Sequence, residues 1–126
     1  MFNLAGKKPN NLGVKDGKLA SCPGTPNCVS SQSDRPQEKI APLPAVSISE
    51  LKKVIASMER ITIIEETNNY LYAEFKSKLM GFVDDVEFYL DEAANVIHVR
   101  SASRLGKSDL GVNRQRIEAI RAKLNT

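Results

Sequence analysis

"RITIIEETNNYLYAEFKSKLMGFVDDVEFYLDEAANVIHVRSAS", residues 60–103, decides the fold. β-Branched and aromatic residues alternate with polar ones through four runs, the two-residue period of strands that lay one face on a core. The runs are separated by Asn68-Asn69, by Met80-Gly81 and by the acidic stretch DEAA at 91–94. Asparagine and glycine tolerate the positive φ of tight hairpins, so the first two pairs read as two-residue turns. Consecutive strands joined this way form an antiparallel meander with one face solvated and the other covered.

The flanks supply the cover. Upstream, "SISELKKVIASMERI" opens with Ser47 and has Glu50 three residues on, a capping box in which two side chains satisfy orphan amides reciprocally. Leu51, Val54, Ile55 and Met58 recur at helical spacing and predict a helix over 48–59. Downstream, "GVNRQRIEAIRAKLNT" puts Ile117, Ile120 and Leu124 on one helical face, with arginines around the rest. The expected fold is α+β, a four-stranded or slightly larger antiparallel meander with two helices packed on one face. Residues 1–46 hold all six prolines and little periodicity, so they are expected to lie as an extended arm on the helix–four strands–helix domain of residues 47–126, one domain in all. Within the arm, Asp16-Gly17 in "VKDGKL" reads as the turn of a small hairpin.

Composition narrows the function. At 126 residues, 41% hydrophobic and 26% charged, the chain can bury a core and is not disordered. It has no tryptophan and only 6% aromatics, few platforms on which bases could stack. A net charge of +3 favours anionic partners without arguing for nucleic acid. No apolar run could span a bilayer, and "MFNLAGKKPNNLG" lacks the apolar core of a signal peptide. With Met1 in place, the chain reads as cytoplasmic. No glycine-rich phosphate loop follows a strand, and no cofactor is expected.

Strand period assigns faces. With Met80-Gly81 as a turn, Ser77 lies opposite Asp84, Phe75 opposite Val86 and Leu71 opposite Leu90. Across the next hairpin Leu90 meets Ile97, Phe88 meets Val99, Val86 meets Ser101 and Asp84 meets Ser103. The core face is thus apolar at one end and polar at the other. Asp84 must find donors there, as a structural hub or as part of a ligand site. The other face carries Tyr72, Tyr89 and His98 in one row and Glu74, Glu87 and Arg100 in the next, and reads as a wet surface of cross-strand pairs.

Beyond the last strand, Arg100 and Arg104 leave the strand end, Lys107, Ser108 and Asp109 form a loop, and Asp109 or Asn113 is placed to cap the final helix. Guanidinium groups beside free amides can hold a carboxylate or phosphate. The candidate ligand set is Asp84, Arg100, Ser101, Ser103, Arg104, Ser108, Asp109, Asn113 and Arg114. The arm around Asn27–Gln32 is expected to pack on it, closing a shallow polar pocket of net positive character. A competing reading has the arginines clasp the arm by its carbonyls.

"SCPGTPNCVSSQ", residues 21–32, holds both cysteines. Pro23 and Pro26 stiffen the loop between Cys22 and Cys28, which can form a disulfide, a redox-sensitive pair or two reduced structural thiols. As a disulfide their α-carbons lie within about 7 Å. Zinc needs four ligands, and His98 is the one imidazole, so no metal is expected. "CPGTPNCVSSQ", "GFVDDVEFYLD" and "VRSASRLGKSDLGVNRQRIEAIR" together resemble the uncharacterised family called domain of unknown function 1499, over roughly residues 12–122. The resemblance implies membership but carries over no activity and no catalytic residue. It also implies relatives in bacteria, cyanobacteria and plastids, many with export or membrane-anchoring leaders, so envelope- or thylakoid-associated relatives are expected. On these residues the first reading is a non-catalytic binding or assembly module for an anionic small molecule or an acidic protein segment. The alternatives are a thiol-redox-sensitive protein using Cys22 and Cys28, and a hydrolase using Asp, Ser and Arg. His98 is assigned to the face opposite Ser101 and Ser103, which counts against the hydrolase.

Overall fold

The computed structural model describes residues 6–78, 81–106 and 111–125. Two short strands of the arm, β1 (Cys28–Ser30) and β2 (Leu43–Pro44), precede helix α1 (Ile48–Ala56). The meander follows as β3 (Ile61–Glu66), β4 (Tyr70–Lys76), β5 (Val83–Asp91) and β6 (Val96–Ser103), and helix α2 (Val112–Leu124) closes the chain. The six strands form one sheet in the order β1-β6-β5-β4-β3, with β2 also on β6. Each pairing is antiparallel. The meander is as expected, widened at its β6 edge by the arm.

Helix α1 begins where the capping box puts it, the Ser47 hydroxyl accepting from the Glu50 amide at 3.1 Å. It ends at Ala56, short of 59, because the amides of Ser57 and Met58 bond back to Val54 and Ile55, three residues away, and Arg60 turns to φ 58°. Ile48, Leu51 and Ile55 from α1 and Ile117 and Ile120 from α2 pack on one sheet face, against Leu71, Ala73, Phe75, Val86, Phe88, Ile97 and Val99. That is the core.

The turns explain the register. Asp16 (φ 54°) and Gly17 (φ 75°) make the expected tight turn, with Lys15 and Lys18 exchanging backbone bonds of 2.8 and 3.0 Å. In β3 two apolar residues follow each other, and a bulge between Ile63 and Glu65 absorbs the extra residue. Between β4 and β5 the expected Met80-Gly81 turn is replaced by a longer loop. The Ser77 amide donates to the Phe82 carbonyl at 2.8 Å, and the Ser77 hydroxyl accepts from the Phe82 amide at 2.9 Å. Met80 itself lies outside the described residues. The register therefore moves by two: Phe75 opposes Asp84, Ala73 opposes Val86 and Leu71 opposes Phe88. A slip of two preserves the faces, so the core assignment stands while Ser77 leaves the sheet. Across β5–β6 the expected pairs Leu90–Ile97, Phe88–Val99, Val86–Ser101 and Asp84–Ser103 all form.

The second face is not wet. The arm crosses it, burying Tyr70, Tyr72, Asp85, Glu87 and Arg100. Leu12, Val14 and Leu19 pack on Tyr70, Tyr72 and Tyr89, and the Gly13 amide donates to Glu87 Oε2 at 2.7 Å. Among the described residues, no helix is long and apolar enough to cross a membrane.

Candidate functional site

The arm and the end of β6 meet as expected, with Cys28, Val29 and Ser30 paired to Ala102, Ser101 and Arg100. Because alternate residues of β6 point to opposite faces, the candidate set divides into two clusters. Asp84, Ser101, Ser103 and Asn113 lie on the helix side. Arg100 and Arg104 lie on the arm side. Ser108 and Asp109 fall outside the described residues.

The helix-side cluster is a hub. Asp84 is buried and accepts from Arg116 Nη2 at 2.7 Å, so its partner is a guanidinium rather than serine hydroxyls or backbone amides. Arg116 also donates to Asn113 Oδ1 at 2.7 Å and Ser101 Oγ at 3.1 Å, and its guanidinium stacks over the Phe75 ring. The Ser101 hydroxyl donates to Asn113 Oδ1 at 2.6 Å, and Asn113 Nδ2 donates to Ser103 Oγ and to the Asn27 carbonyl. Asn113 therefore does not cap α2; left-handed Gly111 (φ 82°) occupies that position with no side-chain cap. This network fastens α2 to β5, β6 and the arm. Arg114 belongs to a clasp, donating to the Lys39 and Gln37 carbonyls, and Arg121 does the same to Pro42 and Ala41.

On the arm side, Arg104 is neutralised. Its Nε and Nη2 form a fork on Asp85 at 2.9 Å each, and Nη2 reaches Glu74 at 2.6 Å. The bonds to Asp85 above all hold its pKa above the usual guanidinium value. Tyr72 donates to the same Asp85, and burial together with that carboxylate pushes the phenol up. Glu87, fully buried and opposite Arg100, accepts from Tyr70 and Gly13 through Oε2. Burial raises its pKa.

Arg100 is different. It is 5% exposed, and among the described residues its side chain makes one hydrogen bond, from Nη2 to the Ser21 carbonyl at 3.3 Å. Its buried Nε has no partner among the described residues, nor does any of their carboxylates come within the 4.0 Å of an ion pair. Burial pulls its pKa down against the nearby charges of Glu87, Asp85 and Glu38. It lines a cavity of about 290 Å³ beneath the arm, together with Arg104, Asp85, Lys7, Asn27 and Ser103. Pro23 and Ser21 complete the rim. The disulfide Cys22–Cys28, Cα atoms 5.7 Å apart, holds that rim in place.

A second juxtaposition was not foreseen. Ser31 Oγ lies 3.1 Å from His98 Nδ1, and His98 Nε2 lies 3.6 Å from Asp91 Oδ2. These are the residue types of an activated nucleophile, but Ser31 Oγ already accepts from the Val99 amide at 2.9 Å and is 3% exposed. It ties the arm to β6. Among the described residues no three His, Cys, Asp or Glu side chains group as metal ligands.

Sequence reasoning missed Arg116, Asp85 and Ser31. A signal existed for the first two: adjacent Asp84 and Asp85 must point to opposite faces, so a sheet covered on both sides buries one on each, and each needs its own arginine.

A family model described as "Protein of unknown function (DUF1499)" matches residues 18–124. No curated protein and no solved structure matches the chain significantly.

Proposed function

The chain belongs to this family, and from the arm-side geometry we propose that it is a non-catalytic binding module that seats a small anion on Arg100 between arm and sheet. The observation that carries the reading is a buried guanidinium in the wall of a cavity, with no carboxylate in ion-pair distance among the described residues. A buried charge left unpaired is costly, whereas a bound anion offsets its desolvation. Lys7 adds positive potential at the same wall. An acidic segment of another protein presents the same carboxylate, but a cavity of about 290 Å³ walled by the arm suits a small molecule better.

The disulfide is read as a staple. Both cysteines are 3% exposed, out of easy reach of an attacking thiolate, which favours structure over a redox couple. A structural disulfide also fits an oxidising compartment. Isothermal titration of the oxidised chain with acetate, inorganic phosphate and sulfate tests the anion site. At least one binds with a single-site isotherm, and Arg100→Gln weakens it about ten- to a hundredfold with unchanged circular dichroism. Silence with all three anions, or full affinity in the variant, sinks the reading.

A further inference from the structure

Apart from the Arg100 cavity, we infer that one end of the sheet docks on a membrane surface rich in anionic lipid. Among the described residues, three of the four exposed large hydrophobic side chains gather there. Phe82 (38% exposed) comes just before β5, Leu105 (40%) two residues after β6, and Val112 (44%) opens α2. The last β5–β6 pair, Asp84 with Ser103, fixes where they meet. Beyond it the Arg104 amide donates to the Val83 carbonyl at 3.2 Å, which brings Leu105 to the start of Phe82's strand. Asn113, next to Val112, donates to Ser103 Oγ at 3.0 Å. Exposed apolar side chains scattered singly are ordinary, but gathered at one end they mark a contact surface.

Charge selects the occupant. Lys76 lies opposite Val83 at the end of β4 and Lys78 follows two residues on. Both are exposed, and neither forms an ion pair among the described residues. A Cβ added at Gly81 would meet Lys76 Cε at 3.5 Å, so this side chain lies along the approach to Phe82. Gly6 lies against Leu105, a Cβ there falling 3.1 Å from its Cγ, and brings exposed Lys7 to the same end. The acids nearby are already paired: Asp84 with Arg116, Asp85 and Glu74 with Arg104, and Glu59 with Arg60. Exposed Glu65, Glu66 and Glu92 stand at the other end, beside the β3–β4 and β5–β6 turns. Protein interfaces are depleted of lysine. Lysines flanking single apolar side chains suit a lipid surface instead, where the apolar tips enter the acyl boundary and the ammonium groups stay with the phosphates.

Cosedimentation of the oxidised chain with vesicles of phosphatidylcholine, alone or with about one third phosphatidylglycerol, tests the surface. The chain is expected to pellet with the anionic vesicles and not with the neutral ones, and about 0.5 M salt releases it. Lys76→Gln and Lys78→Gln each weaken binding about fivefold, the value of one lysine at an anionic surface. Phe82→Gln weakens it about tenfold. Ile64→Gln, at the fourth exposed apolar site in the middle of β3, leaves it unchanged. Lys7 is left in place because it also borders the Arg100 cavity. The chain has no tryptophan, so Phe82→Trp supplies a single reporter whose emission shifts to the blue on anionic vesicles. A chain that ignores anionic vesicles overturns the inference. So does binding with no blue shift of Phe82→Trp, or binding that Ile64→Gln weakens as much as Phe82→Gln. Capture by polyglutamate without binding to vesicles overturns it too, and assigns this end to an acidic protein.

Discussion

Glu87 is a carboxyl group placed where water cannot reach it, with Tyr70 and the Gly13 amide as its donors. Burial, the dominant cause, raises its pKa above the ordinary 4.5, and the donors and Arg100 pull it back only partly. The folded chain therefore holds this proton more tightly than the unfolded chain does. Stability from this group is fully present below the unfolded value and is lost as pH rises through the raised one. Glu87→Gln keeps an oxygen for Tyr70 and Gly13 and removes the titration. Thermal melts of both proteins from about pH 4 to about pH 8 should show the variant gaining on the parent as pH rises. A constant gap across that range would mean that Glu87 ionises as freely in the fold as outside it. Arg100 belongs to the same face and the opposite logic, a cation that burial disfavours and that the nearby charges of Glu87, Asp85 and Glu38 favour.

At the scale of elements, the pair that matters is α2 against β5. Arg116 and Asp84 lie 2.7 Å apart with little exposure, and both also border the Ser101–Asn113 hub. Arg116→Met leaves Asp84 buried without its counter-charge and should cost about 3–5 kcal/mol in urea titrations. Adding Asp84→Asn to Arg116→Met should recover much of that loss, because no buried charge remains. A double variant as unstable as the single one would show that packing over Phe75, not the ion pair, carries the contact. That Asp84 needed a donor was legible in the strand period; which residue supplied it was not. Helical spacing on α2 marks Ile117 and Ile120 as core but ranks its three arginines alike, and only the tertiary arrangement sorts Arg116 from Arg114 and Arg121. Likewise the meander and its faces follow from alternation alone. The β4–β5 register did not follow, because a loop closed by the Ser77 side chain leaves no mark in the strand pattern.

For the whole molecule, the decisive feature is a sheet covered on both sides. Hydrophobic periodicity announces the helix-covered face, but the arm-covered face is polar in composition, so the strands alternate as though one side were wet. What buries it is a segment with almost no secondary structure, docked through Leu12, Val14 and Leu19 and through single bonds such as Gly13 to Glu87. Residues 1–17 precede the family match at 18–124, while the disulfide loop, β1 and β2 lie inside it. Removing residues 1–17 should therefore leave the sheet, both helices and the Cys22–Cys28 staple formed. It should also strip Lys7, Pro9 and Asn11 from the cavity wall and wet Glu87 and Tyr70. Loss of two half-buried aliphatic contacts and one hydrogen bond to a carboxyl predicts a fall of about 2–4 kcal/mol. Urea titration measures the fall. Repeating the pH series on the shortened chain then asks whether the Glu87 slope has gone, since a solvated carboxyl titrates alike folded and unfolded. A shortened chain as stable as the full one, with the same pH slope, would mean that the first seventeen residues do not keep water from this face.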